Sequence, residues 1–219
     1  KARFEREVRV LAALKHPNIV AIHESGTAAG SFYFVMDYVS GQPLDVYMAG
    51  KTAPPLGKGG TGGWTVKDSL RMFMKICEAV NAAHLRGVIH RDLKPSNIRI
   101  DSEGEPQILD FGLAKVAPGQ IGDESMPMTV TGQFVGSLPW ASPEQAEGIP
   151  DKIDIRTDVY SLGVVLYQML TGRFPYNVVG GFREVLDRIM TAPPVRPRAL
   201  RAEIDDEVET IVLKALVKE

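Results

Sequence analysis

An α+β fold is the architecture these 219 residues predict, and three observations predict it. Apolar residues recur at helical spacing through most of the chain. Short β-rich runs are confined to the first forty residues and to one pair near residue 100. The hydrophobic content of 44% is enough to build a core and argues against global disorder.

The elements follow in order. Phe4, Val8, Leu11, Ala12 and Leu14 have helical spacing with charges between them, so a helix is expected over 2–15, ended by His16-Pro17. Residues 19–23 and 32–38 read as strands around a loop with Gly26 and Gly30. Pro43 opens a short helix to about Met48. Residues 50–63 hold six glycines and read as an exposed loop; the two lysines there do not make a phosphate loop, because the Gly-x-x-x-x-Gly-Lys-[Ser/Thr] spacing is absent. A long helix over 66–87 carries the stripe Leu70, Phe73, Ile76, Cys77, Val80 and Leu85, with Gly87 as its stop. Strands at 98–101 and 107–109 flank the turn Asp101–Gly104. A polar segment with Pro and Gly runs over 112–143. An apolar helix, buried all round, is expected over 158–170, and amphipathic helices over 181–191 and 204–218.

Composition excludes several classes. Twenty-five Lys+Arg against 27 Asp+Glu leave a net charge of −2, which is no footprint for nucleic acid. The single cysteine, Cys77, excludes an internal disulfide framework and a thiolate metal cluster, and within the helical stripe it reads as a small core residue. No apolar run approaches the ~18–20 residues that span a bilayer; the best candidate, 159–170, is interrupted by Ser161, Gly163 and Gln168.

Three clusters carry chemistry. They are His90-Arg91-Asp92-Leu93-Lys94-Pro95-Ser96-Asn97, then Asp110-Phe111-Gly112, then Ser142-Pro143-Glu144 with Asp158 beyond it. Singly each has a bland reading as a turn or a capped loop. Together, with Asp110 thirteen residues after Asn97, their order and spacing make chance a poor explanation.

On these residues the chain resembles the protein kinase catalytic domain, and more narrowly the eukaryotic-like serine/threonine kinases of bacteria, over residues 2–218. The resemblance implies a bilobal kinase-like fold: a partial small lobe over 1–38, a hinge at 36–39, and a mostly helical large lobe over 40–219. That lobe would hold the catalytic loop 90–97 and the activation segment 110–144. The implied activity is transfer of the ATP γ-phosphate to Ser or Thr hydroxyls of proteins; a pseudokinase acting as a scaffold is the alternative. Phosphoryl transfer needs positioning and charge neutralisation. Asp92 would orient and deprotonate the acceptor hydroxyl, and Lys94 would neutralise the transferred group. Lysine at that position also resembles Ser/Thr rather than Tyr kinases. Asn97 and Asp110 would hold Mg²⁺, with Mn²⁺ as a substitute, because hard cations prefer oxygen. Met36 would be the gatekeeper, and the backbones of Asp37 and Val39 would meet adenine, with Leu44 and Ile100 as apolar neighbours. Leu11, Ile22, His90 and Phe111 would form a stack anchored by Asp158, whose buried carboxylate should accept hydrogen bonds from the backbone near His90 and Arg91. Glu7 would be the ion-pairing glutamate. Gly112 completes the metal-binding motif. Thr129 and Thr131 read either as phosphoacceptors, ordered against Arg91, Lys115 and Arg3, or as exposed loop residues. Ser137 stands where the family has Thr and would bridge Asp92 and Lys94.

Departures accompany the match. Arg99 replaces an apolar residue that floors the adenine pocket; it would stack on the purine, turn outward or obstruct the pocket. The family's Gly-rich loop and strand lysine would precede residue 1, and its last helix, with an arginine for Glu144, would follow residue 219. The 219-residue piece alone is therefore expected to be inactive and to expose a sheet edge. The expected partners are ATP and protein substrates, and the expected setting is cytoplasmic, within a signalling protein that is either soluble or anchored by a segment outside this window.

Overall fold

The computed structural model describes residues 13–28, 31–52, 64–111 and 137–218. These form two compact units that interleave along the chain. One comprises 13–28, 31–52, 71–91 and 95–111; the other comprises 64–70, 92–94 and 137–218. Of the first expected helix only residues 13–15 are described, and they are not helical.

The first unit starts with an antiparallel pair, β1 (Ile22–Ala28) and β2 (Ser31–Met36), in register from Ala28↔Ser31 to Ile22↔Met36. A register shift falls between Ile22 and Glu24. The strand expected at 19–23 therefore begins later and runs further, and Gly26 lies inside it. Ile19 instead makes an isolated bridge to Ile108. Ile19 and Val20 bury their side chains, so their β-rich appearance reflects core packing.

The second sheet has the order β3 (Gly41–Pro43), β4 (Ile98–Asp101), β5 (Pro106–Ile108), all antiparallel. Alternation along β4 puts Ile98 and Ile100 on a fully buried face, with Ile108 of β5 and Leu44 equally buried. Pro43 closes β3 rather than opening a helix. α1 (Leu44–Thr52) follows it and is longer than expected. Asn18 ties residues 16–20 to this sheet: its Nδ2 donates to Pro106 O at 2.8 Å, and its carbonyl accepts from Ile108 N at 2.9 Å.

α2 (Val66–His84) starts at a reciprocal cap. Asp68 N–H donates to Thr65 Oγ1 at 3.1 Å, and Thr65 N–H donates to Asp68 Oδ2 at 3.2 Å. Its buried face is Ser69, Met72, Ile76, Ala79, Val80 and Ala83. Leu85, expected in the stripe, is 79% exposed because the helix has ended before it. Cys77 is partly buried, and burial pushes its thiol up to about 11, which fits a packing role.

The second unit is helical. α3 (Pro143–Glu147) was not foreseen, although Ser142 and Gln145 form a capping box at its start. α4 (Ile155–Thr171) is capped by the Asp154 carboxylate, which accepts from Arg156 N–H at 2.7 Å, and ends at Gly172 with φ 69°. Twelve of its residues are buried, but Ile155 and Val159 are exposed, so it is not buried all round. α5 (Phe182–Thr191) packs Val185 and Ile189 on Tyr176. The short α6 (Pro197–Leu200) precedes α7 (Asp206–Ala215), where Arg196 pairs with the buried Glu209 at 2.6 Å.

Candidate active site

The second unit holds the residues expected to serve acid–base chemistry. Asp92 and Lys94 lie in an extended stretch directly before the 3₁₀ turn Pro95–Asn97. The Lys94 ammonium is 2.9 Å from Asp92 Oδ2 and donates to Ser137 Oγ at 2.6 Å. Both charged side chains are 20% exposed, so the pair is partly desolvated yet open to a substrate. Lys94 thus contacts both Asp92 and Ser137. Ser137 opens the 3₁₀ turn Leu138–Trp140, and two contacts fix that turn. Trp140 Nε1 donates to Gln168 Oε1 at 2.6 Å, and the Trp140 ring meets Phe174 edge-on at 5.2 Å. Ser161 Oγ adds a bond to Trp140 O at 2.8 Å. Glu144 accepts from the Thr157 hydroxyl at 2.6 Å. Thr157 was not anticipated from sequence, because its pairing depends on how α3 meets α4. Asp158 is fully buried on α4.

The first unit holds the expected metal-binding residues. Asn97 directly precedes β4, and Asp110 lies two residues beyond β5. Because these strands are antiparallel, both residues fall at one end of the hairpin, where Leu109 N–H donates to Asn97 O at 2.9 Å. An amide oxygen and a carboxylate there are hard donors that suit a divalent cation also held by phosphate oxygens. Among the described residues no group of three or more His, Cys, Asp or Glu could hold a metal ion. His90 is fully buried; its Nε2 bonds Leu109 O at 2.9 Å, and its ring lies 4.7 Å from that of Phe111. Half of the expected stack is thus in contact. Arg91 and Asp110 both take positive φ, 65° and 51°, which is uncommon for residues with a Cβ and marks two motif positions where the fold holds backbone strain.

The expected hinge follows β2. Met36 ends that strand, and Asp37 N–H donates to Ala21 O at 3.1 Å. The Asp37 carboxylate meets His23 Nε2 at 2.6 Å. Asp37 and Val39 line a cavity of about 740 Å³ together with Leu14, Val20, Asp101 and Gln107. Ile100, expected beside the nucleotide, is 1% exposed and belongs to the core; the accessible face of β4 at this level carries Arg99. Ile22 begins β1, opposite Met36. Glu7, Leu11, Gly112, Thr129 and Thr131, with Arg3 and Lys115, lie outside the described residues.

The Lys94 ammonium lies between Asp92 and Ser137, and Asn97 and Asp110 fall at one hairpin end, an arrangement of the kind phosphoryl transfer uses. The chain belongs to the protein kinase domain family, whose family model matches residues 1–218. Within it, the chain is similar to bacterial serine/threonine kinases. The chain is 36% identical to serine/threonine-protein kinase PknB of Mycobacterium tuberculosis over 222 residues, covering 99% of this chain and 32% of PknB. It is 34% identical to serine/threonine-protein kinase Pkn1 of Myxococcus xanthus, covering 99% of this chain and 29% of that protein. The crystal structure of the Mycobacterium tuberculosis PknI kinase domain superposes with a TM-score of 0.70 at 26% identity, covering 100% of this chain and 71% of that one. The chain thus spans about a third of the length of the curated relatives it matches. The α+β kinase fold and the serine/threonine kinase domain expected from the motifs are those of these relatives. Among the described residues, no helix is long and apolar enough to cross a membrane.

Proposed function

We propose that the full-length protein transfers the γ-phosphate of ATP to serine or threonine hydroxyls of proteins, and that residues 90–97 and 110–144 are its catalytic loop and activation segment. The observation that carries this is the Lys94 ammonium held between Asp92 and Ser137. In this reading Asp92 accepts the proton of the acceptor hydroxyl as its oxygen attacks the γ-phosphorus. Lys94 donates to the transferred phosphoryl oxygens, and ADP departs with the electrons of the broken P–O bond. Asn97 and Asp110 would hold Mg²⁺, which supplies neutralisation of the phosphate charge when bound. The Asp37 N–H is committed to Ala21 O, so Asp37 meets a base through its carbonyl, and Val39 adds a backbone contact.

The remaining roles rest on the motif match. Met36 gates the nucleobase. Glu7 takes the ion-pairing role. Ile22 and Leu11 extend the His90–Phe111 contact. Asp158 braces the catalytic loop, and Glu144 braces the end of the activation segment. Thr129 or Thr131 takes a regulatory phosphate facing Arg91. The kinase works on the cytoplasmic side, as a soluble or an anchored protein. A scaffold without catalysis has no use for a lysine poised between Asp92 and Ser137.

Incubating the full-length protein with γ-labelled ATP, Mg²⁺ and a generic protein substrate tests the reading. Label recovered as phosphoserine or phosphothreonine is expected. No transfer, or phosphotyrosine alone, overturns it.

A further inference from the structure

The cavity of about 740 Å³ described above has walls from three parts of the first unit: residues within 14–21, the segment 37–40, and Asp101 with Gln107 of the second sheet. Its volume falls within the ~300–1,000 Å³ of small-molecule sites. Met36, Leu44, Asn97 and Asp110 do not line it, so it shares with the nucleotide site proposed above only Asp37 and Val39. The walls are stitched together. Val20 N–H donates to Ile108 O at 3.1 Å, and Ile108 N–H donates to Asn18 O at 2.9 Å. Asp37 N–H ties the segment after β2 to Ala21 O at 3.1 Å. Gln107 Nε2 adds a bond to Pro17 O at 3.0 Å. A cavity framed in this way is formed before anything enters it, which lowers the entropy cost of binding.

The chemistry of the lining is uneven. Leu14, Ile19 and Val20 are buried and supply apolar surface. The carboxylates already have partners. Asp37 meets His23 Nε2 at 2.6 Å, and Asp101 accepts from the N–H groups of Glu103 and Glu105, each at 2.9 Å. Two donors do not. Asn18 N–H donates to His16 Nδ1 at 3.1 Å, which leaves the proton of the neutral imidazole on Nε2. Neither that Nε2 nor the exposed Lys15 ammonium has a hydrogen-bond partner among the described residues. A molecule that fits therefore brings an acceptor for these donors and an apolar body for the floor. The two carboxylates in the lining weigh against a further negative charge, and Lys15 weighs against a positive one.

We propose that this cavity is a second binding site, separate from that of the nucleotide, for a small uncharged aromatic molecule that carries a carbonyl oxygen. The ring rests on Leu14, Ile19 and Val20, and the oxygen accepts from the Lys15 ammonium and from His16 Nε2. The proposal is independent of the transfer reaction and stands or falls apart from it.

The test titrates full-length protein with para-fluorobenzamide, para-fluorobenzoate and para-fluorobenzylamine, which share one ring and differ in charge. Fluorine NMR gives the affinities. The proposal expects the neutral amide to bind with a Kd of about 1–5 mM, as suits a fragment of this size, and at least about threefold more tightly than either charged probe. Saturating MgATP should leave its affinity within about twofold. Lys15→Met removes one donor and should weaken the amide about 2- to 10-fold. Ala21→Trp fills the cavity from an exposed position in its lining and should weaken it more than about tenfold. Both substitutions fall on exposed side chains, so the fold should survive them, with melting temperatures as in wild type. Failure of wild type to bind the amide overturns the proposal. So does equal or tighter binding of a charged probe, displacement by MgATP, or unchanged affinity in either variant. None of these outcomes touches the kinase reading, which the labelled-ATP assay decides.

Discussion

Replacing Ser137 with alanine removes one oxygen and leaves the Lys94 ammonium with a single one of the two partners described above. The lost bond is 2.6 Å long and charge-assisted, a class that contributes about 1.5–3 kcal/mol. Lys94 is 20% exposed, so water recovers part of that, and about 1.5–2.5 kcal/mol is the reasonable range. If the bond positions Lys94 for the transferring phosphoryl group, the loss appears in the transition state. The kcat of the full-length kinase then falls about 10- to 60-fold, with KM for ATP little changed. Ser137→Thr keeps the hydroxyl and should stay within about threefold of wild type. Steady-state kinetics on a serine-containing peptide would measure both. A kcat for Ser137→Ala within twofold of wild type would refute the claim that this bond positions the lysine. So would an equal loss in Ser137→Thr, because the hydroxyl would then not be the reason.

Three further outcomes are expected. Glu209 is buried, and its hydrogen bond to Arg196 holds its carboxyl below the usual 4.5. A lowered folded-state value adds stability above the unfolded value and loses it as pH falls through the folded one. Glu209→Gln should therefore melt lower than wild type at pH 7, with the gap narrowing below pH 4.5; a gap independent of pH would contradict the pairing. Cys77 lies about two units above its ordinary 9.0 through burial, so iodoacetamide at pH 8 should modify the native thiol about 100-fold more slowly than the urea-unfolded one. Equal rates would show an accessible thiol. Ile189 is fully buried against Tyr176 and Val185, so Ile189→Ala should cost about 2–4 kcal/mol in urea unfolding; less than 1 kcal/mol would mean the cluster is not packed.

The legible parts of the site were those where chemistry restricts residue type. Asp92, Lys94, Asn97 and Asp110 could be singled out because the order and spacing of their motifs resemble those of protein kinases, and their residue types suit phosphoryl transfer. Their partners were harder. Ser137 was anticipated beside Lys94, but Thr157 for Glu144 and Gln168 for Trp140 were not, since each depends on the angle at which two segments meet. The capping box of α3 is written in Ser142-Pro143-Glu144-Gln145, where it overlaps the motif that carries the kinase resemblance. Secondary structure failed where side-chain burial imitated a strand. Ile19 and Val20 look β-rich because they fill the core, whereas polar Glu24–Thr27 pairs with β2. Leu85 continued a helical count beyond the point where the helix stops. Arg99 departs from an apolar pattern in the sequence, but the direction its guanidinium takes, toward Gly41 O, depends on how β3 and β4 pair.

The central claim is that Asp92 serves the chemical step of transfer to a protein hydroxyl. Single-turnover quench-flow of full-length Asp92→Asn against wild type, with MgATP affinity measured in parallel, tests it most directly. The account predicts MgATP binding within about threefold of wild type and a transfer rate reduced at least about 100-fold. Transfer by Asp92→Asn within threefold of wild type would contradict it.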